Sequence, residues 1–236
     1  MEKRYNYEVI MEEYNKMFQP NEKQFEKVIN VNCYYIMRFD GKGMTKRFKP
    51  QNQLFDLPFV QSIKDTFFTF CNNHKQQILF GYQCNDEISI LIKGTEQDKE
   101  NSYNRVEKLL SLFASEISVL FDRFYRNRLS EDSNESRMNA LNIFDARIFQ
   151  VSKRMMPDYF RLRQAFGIEH VTTRIQNKTN KKITDKKNIF HIIGKQGQDA
   201  TELYYGNIFS SHEELCPFEF KIDMVRLKKC IFGNAC

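Results

Sequence analysis

Two adjacent acids, Asp86 and Glu87, interrupt a segment whose other residues are typical of a β-strand. A third acid, Asp40, follows another strand-like segment, residues 32–39. Carboxylates that lie close together repel each other, and in water-poor surroundings they are costly unless a cation neutralises them. Carboxylate oxygens suit Mg²⁺, which usually shares its ligands with substrate phosphates, and two such ions promote in-line phosphoryl transfer. The three acids are therefore candidate catalytic residues, provided that the fold brings them together.

The acid at position 40 opens the sequence DGKG, residues 40–43. A glycine-containing turn lets backbone groups approach a triphosphate, so Lys42 and Gly43 are candidate nucleotide contacts. Asp-Gly is also the commonest turn dipeptide, and the pair at positions 86 and 87 would equally suit the exposed tip of a hairpin. The functional interpretation depends on both motifs lying at matching strand ends.

Hydrophobic periodicity predicts the elements that must position these acids. The predicted strands are residues 32–39, 78–83, 87–92 and 144–151, and the predicted helices are residues 56–73, 103–128 and 157–176. Further predictions are a helix within 4–30, an exposed loop at 127–139 and a closing strand at 218–225. This order is the split βαβ pattern, an α+β fold whose antiparallel sheet carries helices on one face. Its first and third strands are neighbours, which places Asp40 beside Asp86 and Glu87.

The chain as a whole is of ordinary globular composition, with 236 residues. No apolar run reaches the roughly 18 residues that span a bilayer, and the first residues lack the hydrophobic region of a signal peptide. Its six cysteines are scattered without the spacing of a zinc site. We therefore expect an intracellular protein, cytoplasmic or mitochondrial, with reduced thiols.

The formal net charge is +6, and the basic residues are unevenly distributed. One tract holds Arg174, Lys178, Lys181, Lys182, Lys186, Lys187 and Lys195 against a single acid, Asp185. Such a tract is either a solvated loop or a surface that binds a phosphate backbone, where each lysine gains by releasing counterions.

A second basic feature lies early in the predicted helix 103–128. Arg105 and Lys108 are three residues apart and share one helix face, where backbone N–H groups and the helix dipole also attract phosphates. They are candidate nucleotide contacts, or else an exposed pair beside Glu107.

Five short segments extend this pattern. They are RFDGKG (38–43), GYQCNDEISILI (81–92), NRVEKLLSLFAS (104–115), FDARIFQV (144–151) and DYFRLRQA (158–165). Their order and spacing resemble those of the tRNA-histidine guanylyltransferase family, which includes the Thg-one-like 3′–5′ RNA polymerases. The resemblance spans roughly residues 5–210. It implies a palm-like catalytic domain, two Mg²⁺ ions, GTP, ATP or another NTP as substrate, addition of nucleotides to the 5′ end of tRNA, and a homotetramer.

The resemblance also implies roles for single residues. The metal ligands are Asp40, the carbonyl of Gly41, and Asp86, with Glu87 in support of the site. The nucleotide contacts that the resemblance implies are Arg105 and Lys108, and we add Lys42, Gly43 and Asn85, which lie in the two turns, as candidate nucleotide contacts. The RNA contacts are Arg163 and Gln164, to which the basic tract adds Arg174, Lys178, Lys181, Lys182, Lys186 and Lys187.

Three positions depart from the family pattern. Ile168 stands where members acting on histidine tRNA carry the histidine of HINN, and His170 follows two residues later. Leu57 stands where a lysine precedes the proline, and Asn85 stands where a serine precedes the acids. The first departure argues against histidine-tRNA specificity, and the second against the usual activation of a monophosphorylated 5′ end. Both favour the relatives that repair truncated tRNA 5′ ends.

The expected organisation is a single catalytic domain, with a palm-like core at about 30–155 and a tRNA-contacting part at about 156–236. Three alternatives to the repair enzyme remain. They are a tRNA-His guanylyltransferase proper, a palm-like module that binds nucleotide or RNA without chemistry, and a nucleotide cyclase, which would leave the basic tract unexplained.

Overall fold

We describe residues 27–44, 48, 54–95, 105–129, 141–180, 182, 185–195 and 199–211 of a computed structural model of the chain. The strands in this part are β1 (Tyr34–Gly41), β2 (Ile78–Cys84), β3 (Glu87–Lys93), β4 (Phe144–Val151) and β5 (Asn207–Ser210). The helices are α1 (Leu57–Asn73), α2 (Val106–Arg126), α3 (Met156–Thr179), α4 (Lys186–Gly194) and α5 (Ala200–Tyr205).

The strands form one antiparallel sheet in the order β4-β1-β3-β2-β5. The first and third strands are neighbours, which confirms the topology predicted from the split βαβ pattern. Their register sets Asp40 opposite Glu87. The register between β1 and β4 sets Asp145 on the other side of Asp40.

Helices α1 and α2 cover one face of the sheet. Phe67 of α1 and Ile117 of α2 are fully buried against Met37 and Ile90 of the central strands. Asp56 caps α1 by accepting a hydrogen bond from the Phe59 N–H at 2.9 Å, and a proline lies in the first turn. This is the helix start that the sequence predicts.

Helix α3 packs on the opposite face, over β2 and β3. Phe160 is fully buried there against Phe80 and Leu91. A Cβ atom at Gly167 would lie 2.4 Å from the Cys84 Sγ atom, so the helix approaches the strand closely because this residue has no side chain. The α3 helix leaves much of β4 uncovered on this face, where Phe149 is exposed.

The last described elements extend the sheet. Strand β5 pairs with β2, although the sequence pattern predicts no strand at residues 207–210. Helices α4 and α5 pack with the end of α3 in a small core that includes Ile175, Ile189 and Leu203. Most of the helix predicted within 4–30, most of the predicted loop and the predicted strand at 218–225 lie outside the described residues. Within the described part, each helix is too short or too polar to span a bilayer.

Candidate active site

The acids singled out in the sequence meet at one end of the sheet. Asp40 lies at the end of β1 opposite Glu87, and the Gly41 N–H donates a hydrogen bond to the Asp86 carbonyl oxygen at 3.0 Å. Asp40 and Asp86 are 46 positions apart in the chain, and the strand order brings their segments together. The described structure therefore supplies a place where Asp40 and Asp86 can act together.

Gly41 lies against the acidic hairpin with little room for a side chain. A Cβ atom on this residue would lie 2.3 Å from the Met44 Sδ atom and 3.1 Å from the Asp86 Cβ atom. Lys42 follows it, exposed in the turn, with its N–H bonded to the Ile143 carbonyl at 2.9 Å. Gly43 has a φ of 69°, a backbone conformation that favours glycine. The DGKG segment is thus a tight turn beside Asp86.

Asn85 forms the turn of the hairpin with a φ of 54°. Asparagine is among the few residues other than glycine that adopt this left-handed conformation readily, which explains why it suits this position. Its backbone carbonyl accepts a bond from Gln83 at 2.8 Å, and its side-chain nitrogen lies 3.3 Å from the His170 Nδ1 atom. Asn85 therefore links the turn of the hairpin to helix α3.

Glu87 is engaged by an arginine of that helix. The Arg163 Nε atom donates to Glu87 Oε1 at 2.6 Å, and its Nη2 atom donates to Oε2. The Arg38 Nε atom lies 3.8 Å from the Glu87 Oε2 atom. Burial raises the pKa of Glu87, and the positive charges of Arg163 and Arg38 act against that rise. Glu87 thus anchors α3 to the hairpin, and its supporting role in catalysis stays a prediction.

Gln164, the next residue of α3, points into the protein interior. Its side chain is fully buried, and its Nε2 atom donates to the Tyr205 carbonyl at 3.2 Å. A side chain without solvent exposure cannot contact RNA in this conformation. The RNA contact predicted for Gln164 is therefore not supported, and the residue joins α3 to the end of α5.

Arg174 was expected to contact RNA, but it lies by the acidic hairpin. It is half-buried, and burial lowers its pKa against the opposing influence of Asp86 and Asp56. Its guanidinium lies 5.5 Å from the centre of the Phe55 ring. Because it follows Arg163 by 11 residues, or three helical turns, both arginines face the hairpin from one side of α3.

The remaining basic tract is exposed where the structure describes it. The exposed lysines are Lys178, Lys182, Lys186, Lys187 and Lys195, whereas Lys181 lies outside the described residues. The Lys186 ammonium lies 4.9 Å from the Phe190 ring centre and 4.6 Å from that of Tyr205. Their role in binding RNA stays a prediction.

Arg105 and Lys108 lie at the other end of the sheet. Helix α2 begins beside residues 27–30, where the Val106 N–H donates to the Lys27 carbonyl, near the end of β3. The acids lie about seven strand residues away, roughly 20 Å at the rise of a β-strand. Nucleotide binding by this pair stays a prediction, but within one chain the pair does not share the acidic site.

Two adjoining cavities open beside the acids. One, of about 200 Å³, is lined by Asp40, Asp86, Glu87, Arg163, Phe166 and His170. The other, of about 260 Å³, shares Asp86 and His170 and extends between apolar walls that include Phe55, Leu57 and Leu203. The same cavity is also lined by charged residues, among them Lys64, Arg174 and Glu202. A cavity that joins apolar walls to polar groups is typical of small-molecule sites.

His170 is a site residue that sequence reasoning missed. In the sequence it stands out only as part of a departure from the family pattern, yet it lines both cavities between the two arginines of α3. Burial lowers its pKa, and the positive charge of Arg174 lowers it further. Its spacing of seven residues after Arg163 and four before Arg174 was the available signal, since such spacings share a helix face.

The metal expected here requires oxygen ligands. Within the described residues, no group of three or more His, Cys, Asp or Glu side chains could hold a metal ion. The implied ligands are a smaller set, the carboxylates of Asp40 and Asp86 with the carbonyl of Gly41. These hard donors fit Mg²⁺, which commonly binds one or two carboxylates and keeps several waters. Metal binding by these residues stays a prediction.

Comparison with known proteins identifies similar sequences and folds. The sequence model of the family described as "tRNAHis guanylyltransferase" (Thg1) matches residues 12–152, more than half of the chain. A curated relative, an uncharacterised protein of Acanthamoeba polyphaga mimivirus, is 27% identical over 144 residues. That match covers 55% of this chain and 49% of the relative, so the chain spans about half the length of this protein.

Solved structures of tRNA(His) guanylyltransferases and of proteins like them share the fold of this chain. A bacterial tRNA(His) guanylyltransferase-like protein in complex with GTP has a TM-score of 0.59 at 20% identity, covering 70% of this chain and 75% of that one. The tRNA(His) guanylyltransferase of Saccharomyces cerevisiae has a TM-score of 0.61 at 18% identity. The match covers 82% of this chain and 93% of that one. A bacterial tRNA(His) guanylyltransferase-like protein in complex with ATP has a TM-score of 0.61 at 18% identity. The match covers 83% of this chain and 86% of that one. The predicted palm-like α+β fold is thus confirmed.

Proposed function

The chain belongs to the tRNAHis guanylyltransferase family, and from this premise we propose that it is a nucleotidyltransferase that extends the 5′ end of tRNA in the 3′–5′ direction. The substrate to be extended is a truncated tRNA with a 5′-triphosphate. The incoming substrate is a nucleoside triphosphate, as bound by the bacterial relatives solved with GTP and ATP.

One observation carries this proposal: Asp40 and Asp86 converge where β1 meets the acidic hairpin. The Gly41 N–H bonded to the Asp86 carbonyl holds the two segments together at 3.0 Å. Asp40, Asp86 and the Gly41 carbonyl would hold Mg²⁺, which when bound neutralises phosphate charge and polarises the phosphoryl group. Asp145, on the other side of Asp40, pairs with Arg147 at 3.5 Å.

The cavities beside these acids have room for the parts of a nucleotide. The apolar walls of the larger cavity suit a base, and its polar end at Asp86 opens toward the acids. At that end the Gln83 and Asn207 amides are bonded to each other at 2.6 Å, a fixed polar edge that could meet a base. Arg174 and His170 lie nearby, where their donors can contact phosphate oxygens.

The chemical step is a substitution at phosphorus. The 3′-oxygen of the incoming nucleotide forms a bond to the α-phosphorus of the RNA 5′-triphosphate, pyrophosphate leaves, and the hydroxyl proton passes to solvent. This chain's residues hold the two reactants in line at the acidic end of the sheet, and alignment of this kind is a large part of enzymatic rate enhancement.

The repair reaction is favoured over guanylylation of histidine tRNA by two side chains. Leu57 lines the larger cavity, so the position that the family resemblance gives to a lysine is apolar here. Ile168 replaces the histidine of the HINN pattern and is half-buried on α3. A chain without that lysine is expected to need an RNA end that already bears a triphosphate.

A second candidate function, nucleotide or RNA binding without chemistry, rests on the same helix. Arg163 neutralises Glu87, and the negative charge of Asp86 acts against the burial that lowers the pKa of Arg174. Arginine charges at a carboxylate cluster reduce its need for a cation. A protein that had lost metal binding would retain this arrangement.

The two functions are separated by one experiment. The full chain is incubated with Mg²⁺, each labelled NTP, and truncated tRNAs that carry a 5′-monophosphate or a 5′-triphosphate. We expect incorporation with the triphosphate, and a loss of at least about 100-fold in Asp40→Asn and Asp86→Asn. The control is Glu116→Gln, a carboxylate on α2 that pairs with His74 just beyond the C-terminal end of α1, the end opposite to Leu57.

The outcomes are distinct. Incorporation retained by both aspartate variants would exclude the proposed mechanism. NTP binding by the wild type without incorporation into either RNA would instead support the binding module. Incorporation into the monophosphorylated RNA alone would contradict the role given to Leu57.

A further inference from the structure

We propose that a surface between α4 and α5 binds the unpaired strand that lies opposite the recessed 5′ end of the RNA. The proposal rests on the function proposed above and names the part of the RNA that this surface receives. In a truncated tRNA the 5′ strand of the stem is the shorter one, so the opposite strand continues unpaired beyond the last base pair. We call the surface the aromatic seam, and it consists of Lys186 and Phe190 of α4 with Tyr204 and Tyr205 of α5.

Three rings in mutual contact form the seam. The Phe190 ring centre lies 5.3 Å from that of Tyr204 and 6.1 Å from that of Tyr205, and the two tyrosine rings are 4.9 Å apart. All three contacts are edge-to-face. Tyr205 is buried, and its carbonyl oxygen accepts the hydrogen bond from Gln164 of α3. Phe190 and Tyr204 are half-buried, so each ring keeps part of its surface in contact with solvent on a support that α3 holds in place.

A lysine lies across these rings. The Lys186 ammonium is 4.9 Å from the Phe190 ring centre and 4.6 Å from that of Tyr205, although the residue as a whole is exposed. Burial raises the pKa of the Tyr204 hydroxyl, and the positive charge of Lys186 acts against that rise, so the ammonium lies near all three rings. Aromatic rings with a cation beside them form the kind of surface on which single-stranded bases stack while the cation contacts a phosphate.

The charges around the seam favour a phosphate backbone. Among the described residues of 178–205, five lysines are exposed and three residues are acidic. Two of the acids are engaged within the protein. Asp185 accepts a hydrogen bond from the Lys187 N–H at 3.0 Å, and Glu202 pairs with Lys64 of α1 at 2.5 Å. The exposed lysines thus leave a positive surface, which attracts a nucleic-acid strand through the release of its counterions.

The seam lies close to the candidate active site. Glu202 and Leu203 of α5 line the larger cavity, which extends to Asp86. Tyr204 follows Glu202 by two residues, or about 200° around a helix, so the two side chains point to nearly opposite sides of α5. A helix with its side chains is about 10–12 Å wide, which is the length of about three stacked nucleotides. A 5′ end held at the acids therefore leaves the unpaired opposite strand within reach of the seam.

The test is equilibrium binding of fluorescent RNA hairpins to the full chain, without NTP and with EDTA in place of Mg²⁺. Three hairpins share one stem and end in about four unpaired 3′ nucleotides, about four unpaired 5′ nucleotides, or a blunt end. We expect the 3′ overhang to bind about tenfold more tightly than the other two. Tyr204→Leu should remove this advantage, and Tyr204→Phe, which retains the ring, should keep it. In Lys186→Gln the salt dependence of binding to the 3′ overhang should fall by about one phosphate contact.

The matched controls come from another contact between a lysine and a tyrosine, at the end of the sheet opposite to the acids. There the Lys93 ammonium lies 5.9 Å from the ring centre of Tyr34, which is half-buried like Tyr204. Tyr34→Leu and Lys93→Gln should keep the preference for the 3′ overhang. Thermal unfolding of each variant separates lost binding from lost folding.

A second measurement needs no variant. The 3′ overhang carries 4-thiouridine at one position at a time, the complex with the wild-type chain is irradiated, and crosslinked peptides are identified by mass spectrometry. We expect a crosslink to the peptide that contains Tyr204. Crosslinks confined to other peptides would overturn the proposal.

The binding results are equally decisive. Equal binding of the 3′ overhang and the blunt hairpin would overturn the proposal, as would an equal gain from the 5′ overhang. A folded Tyr204→Leu variant that keeps the wild-type preference would show that the rings serve only to pack α4 against α5. Asp40→Asn should keep the preference for the 3′ overhang, so a failure of the seam and a failure of the proposed chemistry give different results.

Discussion

Arg163 on α3 and Glu87 on β3 form an ion pair with two hydrogen bonds, and it ties the helix to the first residue after the acidic turn. The side chains are 20% and 14% exposed, so the pair is largely shielded from solvent. Because Glu87 also lies opposite Asp40, the same pair fixes the position of α3 relative to the acidic end of the sheet.

The first prediction is that removal of either partner destabilises the fold. Glu87→Gln leaves Arg163 without its main partner, and Arg163→Gln leaves Glu87 buried and charged. Loss of one member of a buried pair costs about 3–5 kcal/mol, and the partial exposure here lowers our expectation to about 2–3 kcal/mol. The measurement is the free energy of unfolding in urea.

The double variant, Glu87→Gln with Arg163→Gln, provides the control. It removes both charges, so it should be clearly more stable than the sum of the two single losses implies. Additive losses would show that the two residues act independently and would contradict this account of the pair.

The second prediction concerns the close approach of α3 to β2. Gly167→Ala places a methyl group 2.4 Å from the Cys84 Sγ atom. Overpacking costs about 1–3 kcal/mol, of which the better helix propensity of alanine returns up to about 1. We expect a net loss of about 1–2 kcal/mol in urea unfolding.

Two further variants check the cause of that loss. Gly194 also lies in a helix, but a Cβ atom there would meet nothing within 4 Å, so Gly194→Ala should leave stability unchanged or slightly raised. Cys84→Ala removes the sulfur that the new methyl group meets and should recover most of the loss in the double variant. Failure of that rescue would place the strain elsewhere.

Most of the sheet and the convergence of the acids follow from the sequence, for identifiable reasons. The alternating or continuous apolar runs before Asp40 and after Glu87 fix the strands. The Asp56 cap with the following proline fixes the start of α1. Once the order of elements is known, the handedness and pairing rules of the split βαβ unit leave Asp40 beside the hairpin.

The surroundings of the basic and amide side chains did not follow from the sequence. Local spacing shows which residues share a helix face, but it does not show what that face meets. The sequence places Arg174 in a basic tract, whereas the structure shows that it lines a cavity together with Asp86. Arg105 seemed suited to phosphate, but its helix begins at the far end of the sheet. The burial of Gln164 depends on α5, a long-range contact that no local pattern encodes.

The third prediction separates the two glycines of the DGKG turn. Gly41→Ala puts a methyl group against Met44 and the Asp86 Cβ atom, so it should displace the acidic hairpin from β1. A displacement of about 1 Å can lower a reaction rate about 100-fold. We expect a loss of that size in nucleotide incorporation, measured at saturating NTP.

Gly43→Ala is the matched control for that loss. A Cβ atom there meets nothing within 4 Å, although its φ of 69° strains an alanine by about 1 kcal/mol. Gly43→Ala should thus lower stability slightly and retain more activity than Gly41→Ala. Equal activity in the two variants would contradict the close contact assigned to Gly41.

The fourth prediction uses Cys84 as a probe of the contact between α3 and the hairpin. Burial raises the pKa of the Cys84 thiol to about 11. Because the thiolate is the reactive form, a raised pKa keeps the reactive fraction near 10⁻³ at pH 8, about 100-fold or more below that of an ordinary thiol.

Cys33 is only half-buried and is the natural comparison. In the folded protein, iodoacetamide should modify Cys33 far faster than Cys84, as read by peptide mass spectrometry between pH 7 and 9. In guanidinium chloride the two cysteines should react alike. In Gly167→Ala, which pushes α3 away from β2, the reaction of Cys84 should accelerate while that of Cys33 stays constant. If Cys84 reacted as fast as Cys33 in the wild type, α3 would not seal the hairpin as the described contacts indicate.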